Sequence, residues 1–516
     1  MSTSNRRRFL ADVGSGMLTG ALGASLAMDL GIAPVQAAEN TSRVTFGEME
    51  PLVALMQETP LRQLQGVLVE KIRSGTELRS LIQAGTLANA RAFGGQDYIG
   101  YHTFMALAPS LDMAERLPTE LKPLPVLKVL YRNTERIHAS GHSKRDALQP
   151  IASAENLSNP DGIALRAATR KGDLKKAEQI LAGMSQMPRG EMYNHVQYAV
   201  QDAADVHRVV LAWRAWLAVD LVGEEYAQTL LRQSVRFCSD ASKRRIDRKR
   251  PEPTSWKTLP ALVDQYGLLG KPLGTRRGDD EWVEDLAFTI FTAKPDQACD
   301  AVAQAMSEGF GLDSICEAIS VSANMQLLHD AGRSKPANGD KIVGSVHGDS
   351  PGVHASDAAN AWRNIARVSN HRNAVMSLLL GAYNTAGATR RMKHEPWPLK
   401  HDQVEGLSSK TEVLATIDDA VRAKDQALAG AAVERFRELG GDAQSVFDLM
   451  LGYATSEDGA LHAEKFYRTV TEEFATTRAS LRWRQLVGLA RVSASEFGNR
   501  APGHEEACDL LKVKFG

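Results

Sequence analysis

The chain has 516 residues, and its 61 Lys+Arg stand against 62 Asp+Glu, a net charge of −1 with neutral histidines. A balance this close to zero excludes a binder that works by neutralising nucleic-acid phosphates, and the length allows two to four domain-sized units with sizeable cores. The four cysteines, Cys238, Cys299, Cys316 and Cys508, stand far apart with no CxxC, CxxCH or iron–sulfur spacing. That excludes covalent haem and a disulfide scaffold and leaves buried free thiols as the expected state.

The first segment reads Arg6-Arg7-Arg8-Phe9-Leu10, then a Gly/Ala/Leu stretch from Gly14 to Ala33, then Val35-Gln36-Ala37. It resembles a bacterial twin-arginine export signal, with Arg6-Arg7 as the pair and Ala37 as the cleavage position. Asn5, Ala11 and Asp29 depart from the usual pattern. A membrane anchor needs about 20 uninterrupted apolar residues, so no transmembrane segment is expected in the mature chain. The resemblance implies the export machinery as a partner, a periplasmic or secreted location, and a fold that begins after residue 37. Many proteins on that route load a cofactor before export, which raises the expectation of one here.

Beyond the signal, helical periodicity runs through the chain. Apolar residues recur at three and four spacing in Leu61-Val67-Leu68-Ile72, Ala177-Ile180-Leu181-Met184, Val209-Val210-Trp213-Leu217 and Leu481-Leu486-Val487-Ala490, the pattern of amphipathic helices. Alternating strand-like runs are nearly absent, so an all-α fold is predicted.

The chain also matches itself. A first half at about 42–238 aligns with a second at about 281–496 at a shift of roughly 250 positions, and each half contains two units, giving an A-B-A′-B′ order with a pseudo-twofold between halves. In the A units, Leu78, Ser80 and Ala84 fall on Leu312, Ser314 and Ala318, and His102 on His354. Among the B units, Asp173 and Ala177 fall on Asp425 and Ala429, and Asp202, His207 and Arg236 on Glu457, His462 and Arg491. Residues 239–280, with the Lys243–Arg250 basic run followed by Pro and Gly, are expected to be a solvated connector. Residues 387–410, with Arg390, Arg391, His394 and Trp397, are expected to form a long surface loop or lid, and 497–516 a tail.

Four times an acidic residue stands five positions before a histidine: Asp97 and His102, Asp202 and His207, Asp349 and His354, Glu457 and His462. Histidines at equivalent places in four units can converge on one axis and hold a metal through neutral imidazole nitrogens, as bundle interiors often do. Five residues turn about 140° round a helix, so the acids are expected as helix caps or as groups that orient the imidazoles, not as ligands. The implied cofactor is copper, iron or zinc, or a non-covalent haem.

His195 and His347 lack counterparts in the sister units. Arg236 and Arg491 read as helix-end ion pairs, and Trp213, Trp216 and Trp362 as core. No His-Glu-x-x-His, P-loop, GxGxxG or nucleophile elbow occurs. Two readings stand: a metal or haem protein, an oxidoreductase if it is an enzyme, whose substrate or redox partner the residues do not name; or a non-catalytic helical-repeat scaffold whose histidines are packing residues.

Overall fold

Seven of the helices begin on an aspartate whose carboxylate accepts the backbone N–H three residues on, at Asp97, Asp161, Asp173, Asp205, Asp279, Asp425 and Asp442. Each such cap satisfies one of the amide groups that a helix start leaves unpaired, worth about 0.5–2 kcal/mol. The computed structural model describes residues 43–143, 145–151, 160–337, 341–388, 392 and 395–515. Among them are 22 α-helices and no β-strand, so the fold is all-α. None of these helices is long and apolar enough to cross a membrane. The export-signal segment and Arg390, Arg391 and His394 lie outside the described residues.

Twelve helices form four consecutive triplets. The first is α1 (Leu78–Phe93), α2 (Tyr98–Glu115) and α3 (Pro123–Ala139); the second α4 (Arg189–Val200), α5 (Val206–Val222) and α6 (Ala227–Asp247). The third is α7 (Leu312–His329), α8 (Pro351–Val368) and α9 (His371–Ala388); the fourth α10 (Ala443–Ser456), α11 (His462–Thr476) and α12 (Trp483–Glu496). Each middle helix packs against the helix after it, and the four middle helices touch in a closed cycle, α2 to α5 to α8 to α11 and back to α2. Small residues allow this approach, as on α8, where Ala355, Ala358, Ala359 and Ala361 are buried.

Two arginines tie triplets together in matching ways. Arg236 of α6 donates to the carbonyl of Gly94, just past the end of α1, and Arg491 of α12 donates to the carbonyls of Leu327 and Asp330 at the end of α7. Cationic side chains there satisfy carbonyls the helix leaves open and complement its negative end. A fully buried pair, Lys128 Nζ and Glu464 at 2.7 Å, joins α3 to α11, and Lys128 also donates to the Ala454 and Glu457 carbonyls.

The basic run expected in a solvated connector continues a helix instead: α6 extends to Asp247, and a further helix spans Ser255–Gln265. Trp256 of that helix donates to the Asp202 carbonyl at 2.6 Å, and the Arg170 guanidinium stacks on its ring. The 387–410 segment is pinned where it is described, with Trp397 N–H bonded to the Leu328 carbonyl and its ring under Arg491. The chain end is no loose tail: helix His504–Leu511 docks on Leu61–Arg73, where Gln65 and Arg73 donate to the Gly503 and Leu510 carbonyls. All four cysteines are free, three of them buried.

Candidate metal centre

His102 is the fifth residue of α2, His207 the second of α5, His354 the fourth of α8 and His462 the first of α11. Their helices therefore run parallel, with the N-terminal ends together. The rings close a cycle: centroids lie 4.9 Å apart for His102 and His207, 5.4 Å for His207 and His354, 5.4 Å for His354 and His462, and 5.2 Å for His462 and His102.

Two of the rings are oriented by backbone. His102 Nδ1 lies 2.6 Å from the Tyr98 carbonyl and His462 Nδ1 lies 3.1 Å from the Ala460 carbonyl. A carbonyl only accepts, so in both rings Nδ1 carries the proton and Nε2 keeps a lone pair. His354 Nε2 faces His462 Nε2 at 3.4 Å. The buried Nε2 atoms of His102 and His207 have no hydrogen-bond partner. Buried polar atoms are nearly always paired, so the unpaired Nε2 of His102, whose lone pair the Tyr98 bond fixes, is a nitrogen free to accept a proton or a cation.

The backbone before His462 is unusual. Gly459, Ala460 and Leu461 all take positive φ, 47°, 47° and 65°, a conformation costly for a buried leucine. It brings the Ala460 carbonyl onto the His462 ring. Gly348 is needed beside it, because a Cβ there would stand 2.3 Å from His462 Cβ.

Burial holds all four imidazoles in the neutral form. It pushes His354 down to about 3 and lowers His102, His207 and His462 as well. The Lys465 ammonium, one turn below His462, adds to this in each case, and burial in turn lowers Lys465 to about 8. Neutral imidazole is the form that ligates.

The acids take other partners. Asp97 caps α2 through Gly100 N–H and pairs with Arg136 at 2.6 and 2.8 Å. Burial alone would raise its carboxyl, and the Arg136 and Gly100 bonds outweigh that and hold it below the ordinary range. Asp202 pairs with Arg170 at 2.7 Å, while Asp205 caps α5. Asp349 pairs with Lys341 at 2.9 Å and with Arg333, and Ser350 caps α8. Glu457 ends α10, accepts the Gly498 N–H and pairs with Arg500 at 3.2 Å. The expectation of capping thus holds for Asp97 alone of the four, because the stretch between acid and helix differs in each unit.

Sequence reasoning passed over several neighbours. Tyr98, 59% exposed, covers the outer side of His102 and His207 with ring centroids at 4.6 and 5.7 Å, and buried Tyr101 stacks on His102 at 5.0 Å. Below the rings lie Lys465, Asp357 and Arg214. They follow His462, His354 and His207 by three, three and seven positions, so the helical face of each histidine was the signal that could have found them. His195 accepts the Gly162 N–H, a local structural role. His347 lies 4.0 Å from Glu496, whose carboxyl burial raises to about 7.

Among the described residues, no group of three or more His, Cys, Asp or Glu side chains is placed to hold a metal ion. The rings do meet. The 3.4 Å between the His354 and His462 Nε2 atoms matches the separation of about 3.3 Å that a tetrahedral ion with bonds of about 2.0–2.1 Å imposes. In comparisons with protein families, curated proteins and solved structures, no match to this chain is found.

Proposed function

We propose that the chain is an exported metalloprotein that holds one transition-metal ion through the Nε2 atoms of His102, His207, His354 and His462. The observation that carries this reading is the closed ring of four neutral imidazoles with two inward nitrogens left unpaired in a buried site. Imidazole suits zinc, copper and iron. Haem is the weaker choice, since rings in mutual contact leave no slot between them for a porphyrin plane. Four imidazoles fill a tetrahedral ion, and a hydrolytic site keeps one position open for water. Electron exchange, and with it an oxidoreductase, therefore fits better than hydrolysis. We infer that duplication produced the four histidine helices, on the strength of the matching places of Arg236 and Arg491.

The scaffold reading keeps one observation in its favour, the lack of a group placed to hold a metal ion among the described residues. Elemental analysis with visible and electron paramagnetic resonance spectra, on untagged protein exported by its own signal, separates the two. Near-stoichiometric metal, lost in both His207→Ala and His462→Ala, supports the proposal. Folded protein without metal that takes up no copper, zinc or iron on titration overturns it.

A further inference from the structure

Below the imidazoles a row of charged and polar side chains runs between the four middle helices. Lys465 and Asp357 come first, with the Asp357 carboxylate accepting from Thr469 Oγ1 at 2.7 Å. Arg214 of α5 follows, only 2% exposed. Next are Asp112, Asn360, Arg468 and Glu472, joined by an Arg468–Asp112 ion pair, an Arg468–Glu472 bond of 2.7 Å and an Asn360–Glu472 bond of 2.9 Å. Asp112, Arg468 and Glu472 open on a cleft of about 360 Å³ between α2 and α11. Pro109 lines that cleft and leaves the Met105 carbonyl without its helical donor.

Arg214 is the anomaly in this row. Its Nε and Nη1 are buried and have no acceptor within hydrogen-bonding distance, although Asp357, Glu472 and Asp112 surround it. A guanidinium held away from all its carboxylates is not stable dry. Polar cavities of this kind hold water, which makes about three hydrogen bonds to groups otherwise unpaired. The cleft below supplies the opening.

We propose that the axis of the bundle is a water-filled polar channel that leads from the Arg468 cleft past Arg214 and Asp357 to the underside of the histidine cluster. The channel spans about 15 Å, ten residues of α11, and carries water and protons to a site whose outer side is covered by Tyr98. It stands whether or not the histidines hold a metal. The test therefore uses the metal-free full chain labelled with ¹⁵N-arginine, with the Arg214 Nε–H resonance assigned by its loss in Arg214→Lys. A sealed group exchanges with solvent only when the fold opens. On transfer to D2O the Arg214 signal is expected to vanish within about a minute, and Ala361→Leu, in the axis, or Thr471→Trp, on the cleft rim and outside the core, should slow the loss at least tenfold. A signal that persists for hours in the unaltered chain, or a loss that neither substitution slows, overturns the channel.

Discussion

Acid should dismantle this fold from its centre. His354 is held down to about 3 by burial, against an ordinary value of 6.5, and His102, His207 and His462 shift the same way. As pH falls below 6.5 the unfolded chain takes up these protons and the folded one refuses them. The contribution is complete above pH 6.5 and is lost at about 1.4 kcal/mol per pH unit for each histidine. Four histidines give a ceiling of about 5.5 kcal/mol per unit. Glu496 opposes them: burial raises it from 4.5 to about 7, so the folded state keeps a proton there and regains about 1.4 kcal/mol per unit between those values. The net loss, about 4 kcal/mol per unit, consumes the 5–15 kcal/mol typical of a domain within a few pH units. Urea midpoints of the metal-free protein, followed by far-ultraviolet circular dichroism at pH 7.5, 6.5 and 5.5, should fall steeply over the lower interval. His354→Asn should flatten the slope by about a third. A midpoint that stays constant from pH 7.5 to 5.5 would refute the burial of neutral imidazoles.

Lys128→Met strands Glu464 without the ammonium it pairs with at 2.7 Å and should cost about 3–5 kcal/mol in chemical denaturation, while the double variant with Glu464→Leu should recover most of the loss; equal damage from both would show that the pair does not act as a unit. Gly348→Ala forces a methyl to within 2.3 Å of His462 Cβ and 2.8 Å of Glu496 Oε1, so thermal unfolding should register a loss of about 1–3 kcal/mol, with bound metal lost as well; unchanged stability and metal content would mean that the His462 turn gives way freely.

Much of the fold was legible because apolar periodicity survives tertiary context, and the four histidines because each sits within the first two turns of a buried helix. The fate of the acids was not. Asp97 finds Arg136, Asp202 finds Arg170 and Glu457 finds Arg500 across 39, 32 and 43 residues, and no local spacing encodes such pairings. The basic run at 243–250 misled for a different reason. Lys and Arg are good helix formers and are favoured at the negative end of a helix, so Arg244 and Arg245 close α6 as naturally as they would solvate a loop. Lys465, Asp357 and Arg214 lie on the histidine faces, yet charged residues on a presumed core face argue against burial until their mutual pairing is seen.

The parallel direction of the four helices bears on which ion the site prefers. Each helix start carries about half a positive charge, and four of them meet round the imidazoles with the Lys465 ammonium beneath, while the Asp205 carboxylate at the start of α5 lies 3.9 Å from His207 Nδ1 and opposes them. At about 8 Å and an effective dielectric constant of about 20, each half charge disfavours one added unit of positive charge by about 1 kcal/mol, and with the Asp205 carboxylate offsetting two of the four the net contribution is about 2 kcal/mol. For a one-electron couple that is a shift of about 90 mV toward the reduced ion. Loaded with copper, the protein should therefore hold Cu(I) in preference to Cu(II), with a midpoint potential raised by that order over a solvent-exposed imidazole complex. Potentiometric titration followed by the Cu(II) resonance signal measures it. A site that binds Cu(II) more tightly than Cu(I) would show that nearby carboxylates such as Asp357 and Glu496 outweigh the helix ends, and neutralising them with Asp357→Asn should then raise the potential.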